Sequence, residues 1–190
     1  MSLDYRIGSC RAGFSLMADA VVSGKHVWQC VGKGWAQWEP AKHRSIYSVT
    51  GTWAVGISLC MRVLPLSPGQ LLLMEGRYYL IADQQPAAKA GWLDVTAVAV
   101  SPVPCVGRTK PEPVLFSGIL AEQYRRSKME EVNAVVSAGY TLIAPVSVVL
   151  RDYDLVDVEG GAAGGTYVVT GVHRLSEWQA EYELSMEGDA

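Results

Sequence analysis

The sequence predicts a mainly β protein made of two similar small antiparallel β-barrel or sandwich units in tandem, with little helix. Three observations carry that expectation. Short runs rich in Val, Ile, Tyr and Trp are bounded by Gly, Pro and Asp, the spacing of strands and turns. Residues 51–100 and 138–186 repeat one order of features. Between them lies SPVPCVGRTKPEP, residues 101–113, whose four prolines favour extended backbone and remove ladder donors. The expected layout is a first β unit at 1–103 with an N-terminal helical segment, a Pro-rich linker at 104–113, and a second β unit at 114–190.

In chain order, residues 9–22 allow a short helix with Phe14, Met17, Ala18 and Val21 on one face. The first copy opens on Gly51 and Trp53 and continues with an extended apolar stretch at 57–64. A short strand ends in Met-Glu-Gly at Gly76, an aromatic-led strand starts at Tyr79, and an alternating strand runs over 92–100. The second copy opens on Gly139 and Tyr140, with its apolar stretch matched to 146–150. It has Val-Glu-Gly ending at Gly160, an aromatic-led strand from Tyr167, and the half-buried alternation of 182–186. The shared element order and the two Glu-Gly turns point to an internal duplication. Over 114–136, strands are expected at both ends, with a polar or helical turn at 125–131 and residues 132–136 matching 45–49.

The stretch GGAAGGTY, residues 160–167, spaces Gly160 and Gly165 like a phosphate loop, but Thr166 stands where the lysine belongs. Strand-forming residues follow in place of a helix, so a phosphate cradle is not expected. The glycines instead extend the second copy's hairpin by about four residues, a loop free of its own domain that could reach a partner.

Hydrophobic content of 49% with 18% charge is that of a folded protein. No apolar run reaches the ~18 residues of a membrane helix. Asp4, Arg6 and Arg11 interrupt any signal-peptide core, so cytosolic synthesis is the expectation. Cys10, Cys30, Cys60 and Cys105 lie too far apart for a zinc motif and are expected as reduced, buried small hydrophobes. Through residue 110 there are 11 basic and 6 acidic residues, +5. From 111 on there are 5 and 13, −8, and together these give the net charge of −3. This asymmetry suits subunits that pack head to tail.

Catalysis would need Cys30 with His26 or His43, or His173 with Asp152, Asp154 or Glu177, and none lies in a local catalytic signature. The expectation is therefore no enzyme, no cofactor and no metal. Asp152, Asp154, Asp157 and Glu159 alternate along RDYDLVDVEG without the glycine pivot of a calcium loop, as a solvated acidic edge would. Trp28, Trp35 and Trp38 beside Lys25, Lys33, Lys42 and Arg44 form an aromatic-basic patch. Such a patch suits a protein interface, or alternatively the stacking platform of an OB-like binder of single-stranded nucleic acid.

The segment VSVVLRDYDLVDVEGG…TYVVTGVHRLSEWQAEYELSME resembles the ending of phage head-closure and head–tail joining proteins. The resemblance covers roughly the last 50 residues well and the first copy loosely. It implies small β-barrels assembled as homo-oligomeric rings beside portal, adaptor or tail proteins. DNA would at most pass through, and the protein would move from host cytoplasm to virion. Under it, Gly160, Gly161, Gly164 and Gly165 with Asp152 and Asp154 would face a lumen or an adjacent ring.

Overall fold

A computed structural model describes residues 12–40, 44–45, 53–54, 56–125, 137–160, 163–174 and 177–186. These residues are strands and their connections, with no helix among them. The chain divides into two compact units, and the described residues change unit between Ser101 and Pro102.

The first unit contains β1 (Ala12–Val22), β2 (Lys25–Pro40), the short pair β3 (Arg44–Ser45) and β4 (Trp53–Ala54), and β5 (Gly56–Arg62). It continues with β6 (Leu71–Met74), β7 (Arg77–Pro86) and β8 (Trp92–Val100). Antiparallel pairings run β1-β6-β7-β8-β5-β2 and return to β1, closing a six-stranded barrel. Its interior is filled by alternate residues of every strand, among them Phe14, Leu16, Leu59, Met61, Met74, Ile81 and Val95.

The second unit contains β9 (Pro102–Arg108), β10 (Val114–Arg125), β11 (Ser137–Pro145), β12 (Leu155–Val158), β13 (Gly165–His173) and β14 (Gln179–Met186). Its pairings run β9-β12-β13-β14-β11-β10 and return to β9. This is the order of the first unit, strand for strand. Its core holds Phe116, Leu142, Val156, Tyr167, Val169, Tyr182 and Leu184.

The correspondence extends to register. Leu72 faces Tyr79 across one hairpin, and Val156 faces Tyr167 across the other. The ladder slips after Ile81 in β7 and after Val169 in β13, two residues past each tyrosine. The turn before each short strand is built alike. Gln70 N–H bonds to the Ser67 carbonyl at 3.2 Å, and Asp154 N–H to that of Arg151 at 3.1 Å. Gln70 Oε1 accepts from Ser67 N–H at 2.9 Å, and Asp154 Oδ2 from Arg151 N–H at 2.8 Å. Gly69 and Tyr153 occupy the same left-handed position, at φ 81° and 69°, and donate N–H to Ile81 and Val169 respectively. Gly69→Ala should therefore lower stability by about 1 kcal/mol, because an L side chain resists that backbone region. Urea unfolding would measure it.

The structure corrects several expectations. The N-terminal segment is a strand where it is described: Ala12, Phe14 and Leu16 alternate into the core, which overrides the helical spacing of Phe14 and Val21. The Pro-rich segment is no linker, since its first half is β9 and only 109–113 remains as a hairpin turn. Pro102 and Pro104 fit because β12 pairs only with Cys105 to Arg108, so on that side neither proline needs a donor. The strand that matches β5 is β11, not 146–150. Residues 146–150 form a loop that tucks Val148 and Leu150 into the barrel end. The last strands align with Val95 on Tyr182, through Leu59 and Leu142, and not with Trp92 on Tyr182. The first hairpin turns on Glu75 and Gly76, both left-handed, the pattern of a two-residue type I′ turn. Of the expected turn at 125–131, Arg125 instead ends β10, and the rest of it and the expected strand at 132–136 lie outside the described residues.

Candidate interaction surfaces

The aromatic-basic patch separates into two faces. In β2, Gly34, Ala36 and Trp38 point inward, and Trp38 packs on the core. Lys33 and Trp35 alternate outward. Beyond the register slip at Leu16/Met17, Trp28 lies opposite Asp19 on the same outer face. Trp35 is 66% exposed, and its ring lies over Gly13, whose missing Cβ would stand 3.7 Å away. A shallow cleft of about 330 Å³ lined by Lys33, Trp35 and Ser15 adjoins it. The Trp28 indole N–H is buried without a hydrogen-bond partner among the described residues. Arg44 lies in β3 opposite Ala54.

The glycine loop joins β12 to β13 as residues 159–164, against a two-residue turn in the first unit, so the expected four-residue extension is present. It is not free of its own barrel, however. Tyr167 donates its hydroxyl to the Ala163 carbonyl at 2.6 Å, and a Cβ on Gly164 would meet the Gly160 carbonyl at 3.2 Å. Gly160 is left-handed and open, Gly165 packs beside Met186, and Gly161 lies outside the described residues.

Asp152 and Asp154 are parted from that loop. Asp152 and Asp154 precede β12 while Gly160 follows it, so four strand residues, roughly 13 Å, lie between. Nor are the acidic residues equivalent among themselves. Asp154 caps its own turn, and Asp157 is held bidentately by Arg108 at 2.7 and 2.8 Å and by Thr166 at 2.8 Å. The Arg108 hydrogen bond lowers the Asp157 pKa below its ordinary value. A lowered folded-state value means the carboxylate stabilises the fold above the unfolded pKa and loses that contribution as pH falls through the folded one. Asp157→Asn should flatten the acid limb of the stability curve below about pH 4. Thermal melts from pH 2 to 6 would show it, with a small amplitude because the pair is exposed.

No family model, curated protein or solved structure matches this chain.

The nucleophile–base pairs stay apart or are engaged elsewhere. Cys30 and His26 stand four residues apart on one strand, about 13 Å. Cys30 Sγ lies 3.4 Å from the Gly32 carbonyl, and His26 Nδ1 lies 3.0 Å from Asp19 Oδ2. His173 meets Glu183 at 3.1 Å. His43 and Cys10 lie outside the described residues. Cys30 is exposed, against the expectation of a buried thiol, whereas Cys60 and Cys105 are buried, and burial pushes the Cys105 thiol up to about 12, away from thiolate chemistry at neutral pH. Among the described residues no group of His, Cys, Asp and Glu could hold a metal, and no helix is long and apolar enough to cross a membrane.

Sequence reasoning missed a further surface. β1 and β2 stay paired beyond the β1–β6 ladder as far as a turn at Ser23 and Gly24, both left-handed. Val21 and Val22 beside that turn and Val31 on β2 are exposed. At the corresponding end of the second unit, Val146, Val149, Tyr153 and Trp178 are exposed, with Tyr153 at 85%. The signal for this hairpin was the dipeptide Ser23-Gly24 between apolar runs.

Proposed function

We propose that this chain is a virion structural protein of the phage head-closure or head–tail joining type, one barrel copied in tandem, working through protein–protein contacts. The observation that carries this reading is the kind of group the barrels display. Isolated large apolar and aromatic side chains are exposed: Trp35 on β2 and Val21 near the end of β1 in one unit, Tyr153 and Trp178 in turns of the other. Interface anchors have that chemistry. The resemblance of the last 50 residues supports it, as does the matching of strand order, register slips and turn hydrogen bonds. The partners on this reading are further copies in a ring and neighbouring portal, adaptor or tail proteins, with DNA at most passing through.

Particles from cells that carry the gene should contain the chain in several copies each, by quantitative mass spectrometry. Its gene should sit beside portal or tail genes. Particles that lack the chain would overturn the reading.

A second reading, an OB-like binder of single-stranded nucleic acid, draws on one observation: Trp28, Lys33 and Trp35 share an outer face. Stacking there would give salt-sensitive retention of an oligonucleotide, lost on Trp35→Ala. Retention unaffected by that substitution would exclude it.

A further inference from the structure

We propose that the outer face of the first barrel at Trp35 binds one nucleotide, with the base lying on the indole and the phosphate held by Lys33. This rests on the second reading above and narrows it from a track along the strand to a single site in one unit.

The indole is both open and fixed. Trp35 is 66% exposed, and it stands directly opposite Gly13 across β1 and β2. A Cβ on Gly13 would lie 3.7, 3.8 and 3.9 Å from three carbons of the six-membered ring. Three nearly equal distances put that point over the face of the ring and not beyond its edge. The lower face is therefore held against β1, and the upper face is free. A platform of that kind stacks a second ring, and every base offers one.

The cation lies on the same surface. Lys33 precedes Trp35 by two residues, so both side chains leave one face of β2, roughly 7 Å apart along the strand. Ser15 faces Lys33, and Leu73 faces Ser15, which sets one row across β2, β1 and β6. These residues line the cleft of about 330 Å³, and no carboxylate is among its described lining residues. Lys33 has no ion pair among the described residues. An ammonium in that position binds phosphate as a point charge, and Ser15 adds a hydroxyl beside it. Trp38 packs inward and Trp28 does not line the cleft, so one ring serves one base.

The second barrel supplies the comparison. Its register sets Ser117 opposite Pro104 and Leu115 opposite Val106, where the first has Trp35 opposite Gly13 and Lys33 opposite Ser15. Asp157 faces Val106 where Leu73 faces Ser15. The inward layer between these positions still holds one phenylalanine in each unit, Phe14 against Gly34 and Phe116 against Cys105. A barrel of this strand order thus closes with neither the indole nor the ammonium. The fold alone does not call for an exposed tryptophan there, and a ligand does.

Calorimetric titration of the full chain measures the affinity, and the NMR signal of the Trp35 indole N–H, assigned through Trp35→Phe, locates it. Adenosine 5′-monophosphate should shift that signal along a one-site curve. Adenosine should bind about tenfold more weakly, and Lys33→Ala should bring the monophosphate down to the level of adenosine. Trp35→Ala should weaken the monophosphate by about tenfold or more without lowering the protection of the barrel amides. Ribose 5-phosphate, which has no base, should leave the signal in place; an equal shift would mean an anion site alone and would overturn the proposal. A single-stranded oligonucleotide should lose affinity with salt at a log–log slope of about −0.7, that of one phosphate contact. A slope several times steeper, or retention of the oligonucleotide with no binding of the monophosphate at millimolar concentration, would overturn the single site and leave the second reading standing. Binding of neither ligand would remove both.

Discussion

Tyr182→Ala is expected to destabilise the protein by about 3–5 kcal/mol, the range for removing a fully buried aromatic side chain. Tyr182 lies at the centre of the second barrel with no solvent exposure. Its hydroxyl donates to the Val148 carbonyl at 2.7 Å and accepts from Leu150 N–H at 3.4 Å. Burial raises its pKa, so the phenol stays neutral and keeps its donor. These bonds tie the 146–150 loop over the barrel end, where Val148 and Leu150 complete the core. Tyr182→Phe separates the two contributions. It keeps the ring and strands two buried backbone groups, at about 1–3 kcal/mol. Denaturant unfolding of both variants checks this. Equal losses for Phe and Ala would mean that the hydroxyl carries the whole effect and the ring none.

Gly34→Phe is expected to be the next most damaging change, and its rescue bears on whether the two units are equivalent. In the first unit Phe14 faces Gly34 across β1 and β2; in the second, Cys105 faces Phe116 across β9 and β10. Each barrel thus places one phenylalanine in this layer, supplied from opposite strands, with a small residue facing it. A Cβ on Gly34 would come within 2.5 Å of Phe14 Cζ and 3.2 Å of Leu64 Cδ1. Overpacking of this kind costs about 3 kcal/mol or more when a whole ring is inserted. Adding Phe14→Cys reproduces the second unit's arrangement and should restore at least about 1 kcal/mol, a coupling proper to residues in contact. Losses that simply add would show that the two layers are not equivalent.

The part of the fold carried by hairpin chemistry was legible in the sequence. Glu75-Gly76 and Glu159-Gly160 mark the ends of two equivalent short strands, and Tyr79 and Tyr167 lead the strands that follow. These features are local, and turn residues state them directly. Strand β1 was not legible, because Phe14, Met17 and Val21 satisfy a helical stripe as well as Ala12, Phe14 and Leu16 satisfy a strand. Only pairing with β2 decides between them, and that is a long-range fact. The run Gly32-Lys33-Gly34-Trp35-Ala36, small residues alternating with large ones, held the hint: small residues inside leave room for Phe14 and Leu16.

The linker was misjudged for a related reason. Proline argues against a central strand, yet Pro102 and Pro104 precede the part of β9 that β12 pairs with. Of the candidate surfaces, Trp28, Lys33 and Trp35 were brought together on one face, while Trp38 turned inward. Asp152 and Asp154 were parted from the glycine loop, because four strand residues stand between them whatever their nearness in sequence.

Expression of residues 102–190 alone tests most directly whether each unit closes its own barrel, on which the proposal of one barrel copied in tandem depends. The isolated segment is expected to unfold in one cooperative transition. Its amides at Tyr153 and Val169 should exchange slowly, as the bonds to Val169 and Asp154 require. An unstructured segment that gains protection only when the first unit is present would contradict the account.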